Sequence, residues 1–471
     1  MTTTILILLP MVGAAGLWLT PWRSGRTAGA FALLVALLEL GFWVGTSFNF
    51  DFSQAGLQFD AEEVWFDDLG VAYKVGLLDY SLWLVGLTTV VTAAAVGYGF
   101  WVGRERAAAY MSLLLFLEGA TVGVFTAGDL LLFYVFWEAM LIPLYVLIGV
   151  WGGAGRIGAT IKFVVYTMAG SLLMLVSVIA LGLARGTFDM TGATNDNAWI
   201  FLGFMAAFVV KAPVWPFHGW LPDAYREAPP EVAAVLSGVI SKTAAYGILA
   251  IVLPTFPGVV ADFRTVILAL AAVGLVYGSL LAFRAPDVRG VIAYSSLAQM
   301  CLIVIGLFAA NPSGLNGAVL QMVNHGLISA ALFLLAGAIE RRTATGELVL
   351  LGGMARGRPV LATLLITIGV IALAVPGSSA FAAEFLVLNG IVTIGWGWAV
   401  VGAVAIVLAA MYMLRLISAV LHEDVGTAVP DQALDLRPAE IGLIVPLVAI
   451  LLALSFWPAA ITDHIFQGPL G

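Results

Sequence analysis

Five ionisable residues stand where an apolar chain would be expected to carry none. Glu138 lies in "FYVFWEAMLIPLY", Lys211 in "FVVKAPVWPFHGWLPDA", Lys242 in "SGVISKTAAYG", His325 in "QMVNHGLISAALF" and Glu384 in "AFAAEFLVL". An acid or base at the centre of a membrane helix costs about 2.5–3.5 kcal/mol on insertion scales, so such groups face a protein interior and usually act on ions. Each also has a plain structural reading. Glu138 and Lys211 can be a buried ion pair, His325 a hydrogen-bonded packing residue, and Glu384 a partner for backbone groups freed near Pro376. Lys242 is too central in its segment to reach the interface. Together, at similar depths on different segments, the five suit a row along which protons pass laterally. Glu118, Lys162 and His218 are secondary candidates. Lys162 is close enough to a segment end to snorkel, and His218 follows a chain break where it can satisfy carbonyls.

The prolines explain Lys211. Pro213 and Pro216 follow it within five residues, and each removes a donor and leaves a carbonyl unpaired. In lipid this is tolerated only where the freed groups meet protein or water. A broken helix beside a buried lysine therefore marks a hydrated cavity, and Lys211 reads as a proton carrier.

The elements that must hold these residues are membrane helices. Of 471 residues, 62% are hydrophobic and 10% charged, with a mean hydropathy of +1.06; soluble domains carry about 25% charged residues. Cys301 is the single cysteine, which excludes an intrachain disulfide and a cysteine-ligated iron–sulfur cluster. The first apolar segment begins at Thr4 with no basic stretch or cleavage site, so it is expected to be a retained helix, and no mitochondrial presequence precedes it.

At about 20 apolar residues per crossing, fourteen segments are expected: 4–20, 27–47, 78–101, 107–127, 130–150, 159–184, 198–219, 231–252, 264–283, 289–309, 315–339, 360–390, 393–420 and 440–461. The positive-inside rule orients them. With both termini outside, the cytoplasmic loops hold thirteen arginines (23, 26, 104, 106, 156, 226, 284, 289, 341, 342, 356, 358 and 437), against Lys74, Arg185 and Arg264 in the outer loops. The acidic, aromatic-alternating outer loop after the second segment suits a short hairpin.

The seventh segment is broken by Pro213 and Pro216, the twelfth by "VPGSSAF" (375–381). Five helices separate them, which suggests two inverted five-helix repeats, segments 4–8 and 9–13. The expected organisation is 1–103 for three N-terminal helices, 104–255 and 256–422 for the repeats, and 423–471 for a loop and the last helix.

Four stretches carry a family resemblance: "LLLFYVFWEAMLIPLYVLIGVWGG" (130–153), "VKAPVWPFHGWLPDAYREAPPEVAAVLSGVISKTAAYG" (210–247), "RGVIAYSSLAQM" (289–300) and "NHGLISAALFLLAGAIERR" (324–342). They resemble the antiporter-like subunits of respiratory complex I, the NADH:quinone oxidoreductase, a family related to the Mrp-type multisubunit sodium/proton antiporters. Glu384, where several paralogues carry a lysine, resembles the M type. The resemblance covers about 70–420 and implies an all-α, fourteen-helix fold. It also implies proton-translocating roles for Glu138, Lys211, Lys242, His325 and Glu384.

It further implies that NADH, FMN, iron–sulfur clusters and quinone belong to partner subunits, with L-type and N-type antiporter-like neighbours in a bacterial or archaeal inner membrane and no nucleic acid. There are two departures. The break reads "PGSSAFAAEF" where the family has "PGTxxFxxEF", and Gln299 stands where bacterial relatives can carry a histidine. Any proton passing there needs water or the amide. The competing readings are a subunit of a sodium/proton antiporter or of a ferredoxin- or hydrogenase-linked pump, a haem protein ligated through His218 and His325, and a passive structural subunit.

Overall fold

The computed structural model describes residues 1–22, 24–432 and 434–466; Arg23, counted above, lies outside them. The chain is a predominantly helical, multi-pass membrane protein. Among the described residues twelve helices are long and apolar enough to cross a bilayer. Three shorter apolar ones, Ala198–Lys211, Pro359–Ala372 and Ser379–Val392, occupy the two segments that the prolines interrupt.

In chain order the first elements are α1 (Thr2–Leu19), α2 (Gly25–Phe48), strands β1 (Gln58–Phe66) and β2 (Val71–Leu77), α3 (Asp79–Val102) and α4 (Ala107–Thr126). There follow α5 (Leu130–Ala139), α6 (Leu141–Trp151), α7 (Arg156–Arg185), α8 (Ala198–Lys211), α9 (Leu221–Glu227) and α10 (Pro230–Val235). Next come α11 (Ser241–Gly247), α12 (Leu253–Thr255), α13 (Pro257–Arg284), α14 (Val288–Ala309) and α15 (Pro312–Thr343). The chain closes with α16 (Pro359–Ala372), α17 (Ser379–Val392), α18 (Trp396–Leu421), α19 (Pro438–Phe456) and α20 (Ala459–Thr462). The acidic loop is a hairpin, with β1 antiparallel to β2 and Glu62 opposite Lys74.

Helix starts follow local chemistry: side-chain oxygens of Asp129, Asn197, Asp287, Asn311 and Ser378 accept from the free amides of α5, α8, α14, α15 and α17. The breaks follow it too. α8 stops at Lys211, and turns containing Pro213 and Pro216 lead to α9. α16 ends at Ala372, and α17 restarts after Gly377 at φ 98°, a left-handed conformation that glycine adopts freely.

Two further interruptions are not anticipated from the sequence. α5 and α6 are separated at Met140, directly after Glu138 and Ala139, because Pro143 has no N–H to offer the Ala139 carbonyl. The helix running Pro230–Thr255 contains two π-turns, Leu236–Ile240 and Ile248–Val252. Pro254, which cannot donate to the Ala250 carbonyl, accounts for the second. Lys242 sits on the short α-helical stretch between them.

Packing divides the chain into two compact units, Met1–Ala212 with Val239–Thr265, and Pro213–Gly238 with Val266–Gly471. In the first, α1 packs on α4, α2 on α3, and α7 on α8. In the second, α15 is buried along nearly its whole length among α10, α14, α16, α17 and α19. Gly317 permits its contact with α17, since a Cβ there would lie 2.6 Å from the Val387 amide nitrogen.

Candidate functional site

In the first unit the last residue of α8, Lys211, is 5% exposed. Its ammonium lies 3.6 Å from the ring centroid of Trp137. Trp137 is fixed by Phe208, edge-on at 5.5 Å, and by Phe133 at 5.7 Å. Glu138, the next residue of α5, is half-buried. Its charge acts on Lys211 through space, while the direct contact is made by the indole. Lys242 is wholly buried and donates to the Ser241 hydroxyl at 3.3 Å.

In the second unit the polar side chains form two short hydrogen-bonded runs. His325 Nε2 lies 3.2 Å from the Ser296 hydroxyl, which lies 2.9 Å from the Ser237 hydroxyl. One turn before His325, Gln321 Nε2 donates to Gln299 Oε1 at 2.7 Å, and Gln299 Nε2 donates to Glu384 Oε1 at 3.2 Å. Glu384 Oε2 meets no donor among the described residues.

A cavity of about 20 Å³ opens among Ser295, Gln299, Gln321, His325, Ser329 and Tyr412, room for about one water. A second, of about 10 Å³, lies between Gln299, Glu384 and Ser279. A neutral amide has no readily transferable proton. Gln299 therefore orients Glu384 through its hydrogen bond, and the small cavity beside it is lined by both Gln299 and His325.

The structure thus brings Glu138 and Lys211 together in one unit, which also contains Lys242, and groups His325, Gln299 and Glu384 in the other. Glu118 is buried on α4. Lys162 is exposed on α7. His218 follows the break, half-buried and edge-on to Tyr277 at 5.4 Å. Sequence reasoning passed over Glu39, Ser237, Ser296 and Gln321. Glu39 is a lone acid in the apolar α2 and satisfies the same criterion as the five. Gln321 precedes His325 by four residues and so shares its helix face.

Residues 127–410 match the family described as "NADH:quinone oxidoreductase/Mrp antiporter, TM". NADH-quinone oxidoreductase subunit M of Rhodobacter capsulatus is 36% identical, covering 98% of this chain and 94% of that protein. NAD(P)H-quinone oxidoreductase chain 4 2 of Thermosynechococcus vestitus is 34% identical over 98% of this chain and 89% of its own. A chain in the structure of respiratory complex I from Thermus thermophilus with bound NADH superposes with a TM-score of 0.89 at 30% identity, covering 98% of this chain and 97% of that one. A chain of the Mrp complex of a Dietzia species, 22% identical with a TM-score of 0.86, covering 98% of this chain and 96% of its own, shares the fold. With buried bases at interrupted helices and homology along almost its whole length, this chain belongs to the NADH:quinone oxidoreductase/Mrp antiporter transmembrane family.

Proposed function

We propose that this chain moves protons across the membrane as the M-type, antiporter-like subunit of a membrane-bound NADH:quinone oxidoreductase, driven by electron transfer in other subunits. The carrying observation is a pair of buried hydrogen-bonded runs, Ser237–Ser296–His325 and Gln321–Gln299–Glu384, that meet at one small cavity lined by His325, Gln321 and Gln299.

On this reading Glu138 sets the field at Lys211, Lys242 and His325 form the central relay, and Glu384 releases the proton outward. Segments 4–8 and 9–13 act as inverted repeats, and both termini lie outside. Carrying one charge against 100 mV needs about 2.3 kcal/mol. A carboxylate moved toward or away from a dry ammonium supplies energies of that order. NADH, FMN, iron–sulfur clusters and quinone reside in partner subunits, and L-type and N-type subunits flank this one in a bacterial or archaeal inner membrane. Lys211→Ala tests the reading. In membrane vesicles oxidising NADH, an assembled complex with this substitution is expected to lose proton uptake, and undiminished pumping removes Lys211 from the mechanism.

A further inference from the structure

Glu39 on α2 and Glu118 on α4 are 0% and 1% exposed. Neither belongs to the row just described. The two carboxyls lie within hydrogen-bond reach of each other. If both are ionised, none of their four oxygens meets a donor among the described residues. Two unpartnered carboxylates in contact, sealed from water, are electrostatically untenable. A single proton between them removes one charge and supplies the missing hydrogen bond.

The surroundings narrow the ligand. α2 packs against α1, α3 and α4, and α4 also against α5, α6, β2 and α11. Among the described residues, the charged group that acts on each carboxyl is the other carboxyl. A hard metal cation takes six or more oxygens, and two carboxyls offer four. A proton needs one oxygen on each side.

The depth gives the pair a role. Glu39 lies nine residues from the hairpin end of α2 at Phe48, Glu118 eight from that of α4 at Thr126, and Glu138 eight from that of α5 at Leu130. At 1.5 Å per residue all three sit about 12–14 Å along their helices. α2 packs on α4, and α4 on α5. The acids therefore occupy one level on three successive helices.

We propose that Glu39 and Glu118 form a proton-binding dyad that extends the row of mid-membrane groups from Glu138 toward α2. The dyad holds one proton and one negative charge at rest and becomes neutral on taking a second proton. The transport role rests on the proton-pumping reading above; the shared proton itself does not.

Glu39→Gln and Glu118→Gln, made in the assembled complex in vesicles, test the role. Glutamine keeps the volume and donates an amide N–H to the remaining carboxylate, so the contact survives without an exchangeable carboxyl proton. Each variant is expected to assemble normally and to move at least twofold fewer protons per NADH oxidised. The double variant should fall no further than the single ones, because the pair is one site. Full pumping by both single variants, alongside loss of pumping in Lys211→Ala, overturns the dyad's role and leaves the general reading standing.

Infrared difference spectra on exchange into D2O test the shared proton independently of pumping and, in the parent complex, of variant folding. A protonated-carboxyl carbonyl band that vanishes in either glutamine variant is expected. A parent spectrum lacking any such band, or one whose bands all persist in both variants, overturns the proposal.

Discussion

The Lys211 ammonium rests on the face of Trp137, 3.6 Å from the ring centroid, while the carboxylate of the adjacent Glu138 acts on it only through space. The indole stabilises the cation without supplying a proton acceptor, so Lys211 is held without being neutralised. A desolvated cation–π contact contributes about 2 kcal/mol. Trp137→Leu keeps most of the apolar bulk beside Phe133 and Phe208 and removes the π-face. Proton pumping by vesicles is expected to fall severalfold, with the optimum displaced toward lower pH because the charged lysine has lost a stabilising partner. An unchanged pH profile at normal assembly would show that the ring serves packing alone.

Gln299 occupies the gap between His325 and Glu384, accepting from Gln321 at 2.7 Å and donating to Glu384 at 3.2 Å. Gln299→Leu deprives Glu384 of its one donor among the described residues and Gln321 of its acceptor. Leaving buried polar groups unsatisfied costs about 1–3 kcal/mol each. Pumping is expected to be lost almost completely while the subunit remains in the complex. Gln299→His restores a donor and adds a titrating group, and is expected to pump with an altered pH dependence. Equal pumping by the leucine and parent proteins would take the Gln299 bridge out of the path.

At the hairpin end, Lys74 on β2 forms an ion pair with Asp189 in the loop after α7. The backbone ties both places to the start of α5: Leu130 N–H donates to Phe188 O at 2.7 Å, and Gly128 N–H to Lys74 O at 2.8 Å. Burial alone would raise the Asp189 pKa. The Lys74 ammonium, with the Thr191 hydroxyl and amide, outweighs it and holds the carboxyl below its ordinary value. A carboxylate with a depressed folded-state pKa contributes stability above its unfolded pKa, about 3.9, and loses it as pH falls through the folded value. Thermal unfolding of the detergent-purified complex should therefore show a clamp present at pH 7 and weakening below about pH 4. Asp189→Asn is expected to lower the melting temperature at pH 7 and flatten that acid dependence. A variant melting in parallel with the parent at every pH would argue against the clamp.

Much of this architecture was legible because lipid imposes a simple rule: an apolar run crosses, and a charge inside it must be sheltered. That rule finds Lys211, Lys242, His325 and Glu384 and places both breaks, since Pro213, Pro216 and Pro376 cannot donate. It finds Glu39 equally well, and overlooking that residue was a failure of application. What stayed hidden depends on which helices meet. Ser237, Ser296 and Gln321 are unremarkable as letters and join hydrogen-bonded runs only when α10, with the π-turn after it, and α14 pack on α15. The placement of Lys211 over Trp137 was hidden for the same reason, because a neighbour of the expected carboxylate took the contact. The π-turns around Lys242 leave only Pro254 as a local trace.

Arg342, at the end of α15, grips Glu440, in the first turn of α19, with two parallel bonds: Nη1 to Oε1 at 2.8 Å and Nη2 to Oε2 at 2.6 Å. The Glu440 side chain is fully buried and that of Arg342 is 8% exposed. The guanidinium also donates to the carbonyls of Leu434 and Asp435 at 3.0 and 2.7 Å, so one side chain fixes the loop that leads into α19. Removing one partner of such a pair leaves an uncompensated buried charge and destabilises by about 3–5 kcal/mol, whereas replacing both with neutral groups of similar volume is often nearly harmless. Arg342→Ala is therefore expected to cut the amount of this subunit recovered in the assembled complex, with α19 the first element to become protease-sensitive. Arg342→Met combined with Glu440→Gln is expected to recover most of that loss. A double variant as depleted as Arg342→Ala would mean that the carbonyl contacts, and not the ion pair, hold α19 in place.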